Sequence, residues 1–189
     1  MSTVSIRTQS TSVPTGRMGM WWFLASEVLI FGGLITTYLL MLFRHPEWMA
    51  EASHTLTLAG AINTMVLLTS SLTVVLAHDA AEHGNFKKAS RLLFVTVGGG
   101  VMFLCIKAFE YHHEIHAGYT PVTNLFWSFY YFMTALHGLH VVGGMTAITL
   151  IALKIEKVQQ ATWVENVGLY WHLVDIVWIF LFPLLYLSS

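Results

Sequence analysis

Five long apolar segments alternate with short polar ones along this chain, at about residues 18–43, 57–77, 92–109, 125–153 and 167–187. Each is long enough to carry a helix through a bilayer whose hydrocarbon core is about 30 Å thick. The first, Met18 to Phe43, has 26 residues, too many for the apolar core of a secretory signal and enough for a tilted span. The pattern predicts an all-α membrane protein, a bundle of five transmembrane helices. Residues 1–16, rich in Ser, Thr and Gln and without apolar period, predict a flexible cytoplasmic tail, and residues 17–189 a single transmembrane domain.

The informative positions are the polar ones inside the spans. Ser26-Glu27 interrupts the first, Glu110 lies at the edge of the third, His137-Gly-Leu-His140 is in the fourth and Trp171-His172-Leu-Val-Asp175 in the fifth. An ionisable group at bilayer depth costs roughly 2.5–3.5 kcal/mol on insertion scales, so each is expected to face protein, bound lipid or water. At about 1.5 Å per residue, Glu27 is placed roughly 14 Å, Asp175 about 12 Å and His140 about 20 Å from the inner ends of their spans. His137 and His140 are three residues apart, as are His172 and Asp175, so each pair shares a helix face and the two polar stripes are expected to meet.

The remaining punctuation sets the expected topology. Arg7, Arg17, Lys87, Lys88, Arg91, Lys154 and Lys157 fall on the side of the N-terminus, and only Arg44 and Lys107 on the other. This asymmetry puts the N-terminus in the cytoplasm and the C-terminus outside. The stretch from His78 to Lys88 reads as a cytoplasmic turn whose lysines meet anionic head groups, and Glu110 to His116 as a solvated interfacial loop. Trp21 and Trp22 at one end, with Tyr119, Trp127, Tyr130 and Tyr131 at the other, read as interfacial aromatics. Pro14, Pro46 and Pro121 flank spans, whereas Pro183 lies within the last and predicts a kink or a loosened final turn. Gly32-Gly33, Gly98-Gly99-Gly100 and Gly143-Gly144 are expected where backbones approach closely.

Composition agrees: 56% of the 189 residues are hydrophobic and 10% charged, against about 25% charged in soluble domains. The single Cys105 excludes an intrachain disulfide and a thiolate cluster. A net charge of −1 offers no footprint for nucleic acid.

Three kinds of role suit the polar groups. They can satisfy one another and hold helices together, which is the favoured reading because interhelical polar contacts are common in bundles. His137, His140, His172 and Asp175 can instead be the ligands of a metal-binding membrane enzyme, a set acceptable to iron or zinc but without the tight spacing of a His-Glu-x-x-His motif. Glu27 and Asp175 can act as relay groups of a small transporter, although no inverted repeat or broken helix accompanies them.

Five blocks carry a family resemblance: Arg17-Met-Gly-Met-Trp-Trp-Phe-Leu-Ala-Ser-Glu-Val28, Leu76-Ala-His78, Phe109-Glu-Tyr111, His137-Gly-Leu-His-Val141 and Tyr170-Trp-His-Leu-Val-Asp-Ile-Val-Trp178. In order and in position they resemble subunit III of the haem-copper respiratory oxidases, the cytochrome c oxidase subunit III family, in its short five-helix bacterial form. The resemblance implies a non-catalytic subunit of the bacterial cell membrane. It implies that haem and copper sit in the partner catalytic subunits, with no cofactor, metal or catalytic residue in this chain. Subunit I would be the main partner, with subunit II, other small subunits and bound phospholipid beside it. By motif, Glu27 would be the intramembrane glutamate, with Arg17, Glu110, His137, His140, His172 and Asp175 as polar or lipid-contact companions. The subunit would stabilise subunit I and support its proton uptake. The first two helices of longer members have no counterpart here. The short five-helix form is also that of ubiquinol oxidases, and the ending Leu181-Phe-Pro-Leu-Leu-Tyr186 is similar to nitric oxide reductase accessory proteins, so either enzyme is the alternative partner.

Overall fold

The computed structural model describes residues 15–187, with side chains from Met18 onward. The expected tail lies almost wholly outside the described residues, and so does the Arg17 side chain. Six helices follow in order: α1 Thr15–Arg44, α2 Trp48–Ala52, α3 Thr57–Glu82, α4 Phe86–His116, α5 Leu125–Val158 and α6 Ala161–Tyr186. All but α2 are long and apolar enough to cross a membrane, and the protein is a multi-pass membrane protein. The end of the bundle that carries the start of α1 is called the first end below, and the opposite one the far end.

The helices overrun the expected spans into polar sequence. Between α3 and α4 the expected turn from His78 to Lys88 shrinks to His83–Asn85. The N–H of Asn85 bonds the carbonyl of Ala80 at 2.8 Å and that of Gly84 bonds Ala81 at 3.0 Å, the paired bonds of a Schellman ending. Gly84 has φ +76°, which only the lack of a Cβ makes easy. The Asn85 side chain then accepts the Lys88 N–H at 3.1 Å and starts α4.

The same device ends α4, where Tyr119 N–H bonds the Glu114 carbonyl at 3.0 Å and Gly118 N–H that of Ile115 at 3.1 Å. Glu110 to His116 is therefore the last two turns of a helix and not an interfacial loop. α4 has 31 residues, about 46 Å of helix, more than the hydrocarbon needs.

Four helices form the body, each packing on two others in the cyclic order α3, α4, α5, α6, and α1 lies at the edge against α6. Trp127, Trp171, Trp178, Tyr130, Tyr186 and Phe103 are fully buried between them. Trp127, Tyr130 and Tyr131 thus belong to the core and not to an interfacial belt. Their polar tips explain the placement: Trp127 Nε1 donates to Glu51 Oε2 at 2.9 Å, which fastens α2 over the far end. Trp171 Nε1 donates to Ser70 Oγ and Trp178 Nε1 to Thr64 Oγ1, each at 3.1 Å, tying α6 to α3.

Only some of the glycines serve close packing. A Cβ on Gly99 would lie 2.8 Å from Ser70 Cβ, and one on Gly144 2.9 Å from the Trp171 ring. Gly32, Gly33 and Gly98 meet nothing within 4 Å. α6 continues through Pro183 to Tyr186; Leu187 N–H bonds the Pro183 carbonyl at 3.1 Å and Tyr38 Oη donates to the Leu184 carbonyl at 3.0 Å.

Candidate functional site

The densest polar constellation is built at the far end from α4, α5 and α6. Lys107, Glu110 and Glu114 recur at helical spacing on one inward face of α4, and all three are buried. Lys107 Nζ donates to Glu110 Oε2 at 3.1 Å, Tyr130 Oη at 3.0 Å and Tyr186 Oη at 2.8 Å, so its three protons are all used. Its ammonium also lies 4.7 Å from the centre of the Tyr111 ring and 4.8 Å from that of Tyr130. Tyr130 Oη meets Glu110 Oε1 at 2.7 Å and Glu114 Oε1 at 2.9 Å. A phenol has one proton to donate, so both contacts are hydrogen bonds only when one carboxyl carries a proton of its own. With Lys107 cationic, that count leaves the cluster without net charge.

Glu27, near the middle of α1, turns inward to α5. Its Oε2 lies 2.8 Å from His140 Nε2, and His140 Nδ1 lies 2.7 Å from the Leu136 carbonyl. The carbonyl can only accept, so Nδ1 carries a hydrogen, and Nε2 faces the Glu27 carboxyl in a close contact without the alignment of a full hydrogen bond. Phe31 packs edge-on against the same imidazole with ring centres 5.0 Å apart, so the pair docks α1 on the body.

His137 points the other way. It is fully buried, with its ring 5.4 Å from Phe103 and 5.2 Å from Trp178, and neither nitrogen has a hydrogen-bond partner. On α6, His172 Nδ1 meets Ser71 Oγ of α3 at 2.6 Å. Asp175 is buried with no hydrogen bond to either oxygen.

The two expected stripes therefore do not meet. Three residues turn a helix by about 300°, a 60° offset that suffices in a bundle to send His140 to α1 and His137 into the core. The four side chains of the metal alternative have separate surroundings, and among the described residues no three His, Cys, Asp or Glu groups gather as a metal site. Glu110 lies in the far-end cluster and not beside Glu27. Lys107, Glu114, Tyr130 and Tyr186 were not anticipated as site residues. The signal for the first two was the spacing of Lys107, Glu110 and Glu114, three and then four residues apart on one helix face. Lys107 is also no loop charge; the exposed cations of the described residues are Lys87, Lys88, Arg91, Lys154 and Lys157 near the first end against Arg44 at the far end.

Against known proteins, the family model described as cytochrome c oxidase subunit III matches residues 4–189. A cytochrome c oxidase subunit 3 from Thermostichus vulcanus is 34% identical over 177 residues, 91% of this chain and 87% of that protein. One from Alkalihalophilus pseudofirmus is 34% identical over 179 residues, 91% of this chain and 86% of the relative. A heme-copper oxidase subunit I+III from Aeropyrum pernix is 32% identical over 183 residues, 90% of this chain and 22% of that longer protein.

Proposed function

This chain belongs to the cytochrome c oxidase subunit III family, and from that premise we propose that it is the non-catalytic subunit III of a haem-copper terminal oxidase. In this reading it packs beside subunit I, stabilises it and supports its proton uptake through packing and bound lipid. Its five apolar helices and its bacterial relatives make it a multi-pass protein of the bacterial inner membrane. The observation that carries the partnership is the Aeropyrum pernix relative, whose name joins subunits I and III in one chain. Two parts of one polypeptide are held at high effective concentration, which favours their lying side by side.

The edge position of α1 supports the same reading. It docks inward through Glu27 and Phe31, while Trp22 stays 74% and Leu29 75% exposed and the Gly32-Gly33 face stays open. Small residues on an open helix face allow a neighbouring helix to approach closely. We place the first end in the cytoplasm, since among the described residues it carries all but one of the exposed Lys and Arg side chains. Glu27, Glu110, His137, His140, His172 and Asp175 then serve cohesion and proton handling and carry no redox chemistry.

Purification through this chain in mild detergent tests the assignment. The expected pair of results is a haem spectrum in the assembly and none in the isolated chain. Glu27→Ala is expected to leave the haem content of the complex intact. Co-purification without any haem protein, or haem in the chain alone, would overturn the assignment.

A further inference from the structure

One pair of side chains outside the buried clusters is set out in a way that cohesion of the bundle does not require. His112 and His116 stand one turn apart at the end of α4, both exposed at the far end, with ring centres 4.0 Å apart and planes tilted by 31°. Residues four apart on a helix share one face, so the two imidazoles meet over a single turn of backbone. His116 Nδ1 lies 2.8 Å from the His112 carbonyl. The carbonyl can only accept, so Nδ1 carries the hydrogen and the neutral ring keeps its lone pair on Nε2. A metal-binding histidine is ordinarily held in this way, by an acceptor at its other nitrogen that fixes tautomer and ring direction.

We propose that His112 and His116 form a chelating site for a divalent transition-metal ion of the zinc class, bound through Nε2 of His116 and a ring nitrogen of His112, with water in the remaining positions. Imidazole is a preferred ligand of such ions. Zinc takes each nitrogen at about 2.0–2.1 Å, which sets the two nitrogens about 3 Å apart around it. Rings whose centres lie 4.0 Å apart reach that arrangement by a small opening, which two exposed side chains can make. The backbone favours a cation at the same place, since His116 is the last residue of α4, at the negative end of the helix dipole. Glu114, between the two in sequence, is buried and bonds Tyr130. Among the described residues no third His, Cys, Asp or Glu joins the pair. Water therefore completes the coordination, and the site is open and exchangeable where a structural zinc site is closed by four protein ligands. An ion held there bridges the last turns of α4 just before the chain turns at Gly118.

The full chain, prepared without a histidine tag in mild detergent and freed of metal, is titrated with Zn2+ in a calorimeter. One equivalent is expected to bind through the pair. His112→Ala and His116→Ala are each expected to weaken that event about 100-fold, the scale of replacing two-point attachment by one. His113→Ala, a change at an exposed neighbour with no ring contact to the pair, should leave it unaltered. Zinc at the concentration that saturates the unaltered chain should raise its thermal midpoint and not that of either pair variant, because a ligand of the folded state stabilises that state. Midpoints without zinc check that the variants fold, as exposed positions allow. Equal affinity in the unaltered chain and either pair variant, or an equal loss in His113→Ala, means an adventitious ion only and overturns the site. So does the lack of saturable binding. These readings do not depend on which enzyme the chain accompanies.

Discussion

The Lys107 cluster and the pair formed by His137 and Asp175 are buried by the same helices, yet they are treated in opposite ways. In the cluster each ammonium proton of Lys107 has an oxygen at 2.8–3.1 Å, and the Tyr130 hydroxyl bridges the two carboxyls. His137 and Asp175 bury four polar atoms without one full hydrogen bond. The cluster is nearly saturated, Glu114 Oε2 being its buried oxygen without a partner, and it acts chiefly as a fastening. Unsaturated groups keep their capacity for a proton or water. Burial alone therefore does not tell the structural polar group from the available one; its partners do.

The largest effect is expected where saturation is broken on one side. Lys107→Met leaves Glu110 and Glu114 buried without their cation. The loss should be about 3–5 kcal/mol, the usual result of removing one member of a buried ion pair. It would be measured as a lowered thermal midpoint of the complex or as failure to assemble. Adding Glu110→Gln and Glu114→Gln removes the one stranded charge and should recover much of the loss. A mild Lys107→Met phenotype would mean that the cluster is not closed as described.

Packing gives the next step down. At Gly144 a Cβ would sit 2.9 Å from the Trp171 ring, which is itself tied to Ser70. Gly144→Ala should destabilise by about 1–3 kcal/mol, as overpacking of a tight interior does. Gly33 meets nothing within 4 Å in this chain. Gly33→Ala should leave the isolated subunit within about 0.5 kcal/mol of its starting stability. Thermal denaturation of both variants in one detergent checks the contrast.

The helices were legible because runs of apolar residues of that length leave a chain few alternatives in lipid. Their ends were not, because charged residues occur in loops and at helix ends alike. The stretches from His78 to Glu82 and from Glu110 to His116 are helical, since these two connections do not turn until Gly84 and Gly118 permit a left-handed residue. Glu27 and His140 were readable as buried polar groups, but that they meet across α1 and α5 depends on packing that no spacing within one helix reports. The far-end cluster was half visible, in the period of Lys107, Glu110 and Glu114. Its aromatic half was not visible, since a tyrosine at a helix end looks the same in sequence whether its hydroxyl meets water at an interface or a buried lysine.

His137 sharpens the comparison most finely. Its imidazole lies between Phe103 and Trp178 with both nitrogens unpartnered, an arrangement that suits an aromatic ring better than a polar one. An unsatisfied buried polar group costs about 1–3 kcal/mol, while a near-isosteric swap in a core usually costs under about 1.5 kcal/mol. His137→Phe should therefore leave stability unchanged or raise it by up to about 1 kcal/mol, the balance of those two effects. A thermal midpoint equal to or above that of the unaltered complex is the expected reading. A fall as large as that of Gly144→Ala would show that the imidazole holds a water or a proton in the assembled protein. His137 would then move from the unsatisfied side of the comparison to the saturated one, leaving Asp175 as the buried acid with capacity to spare.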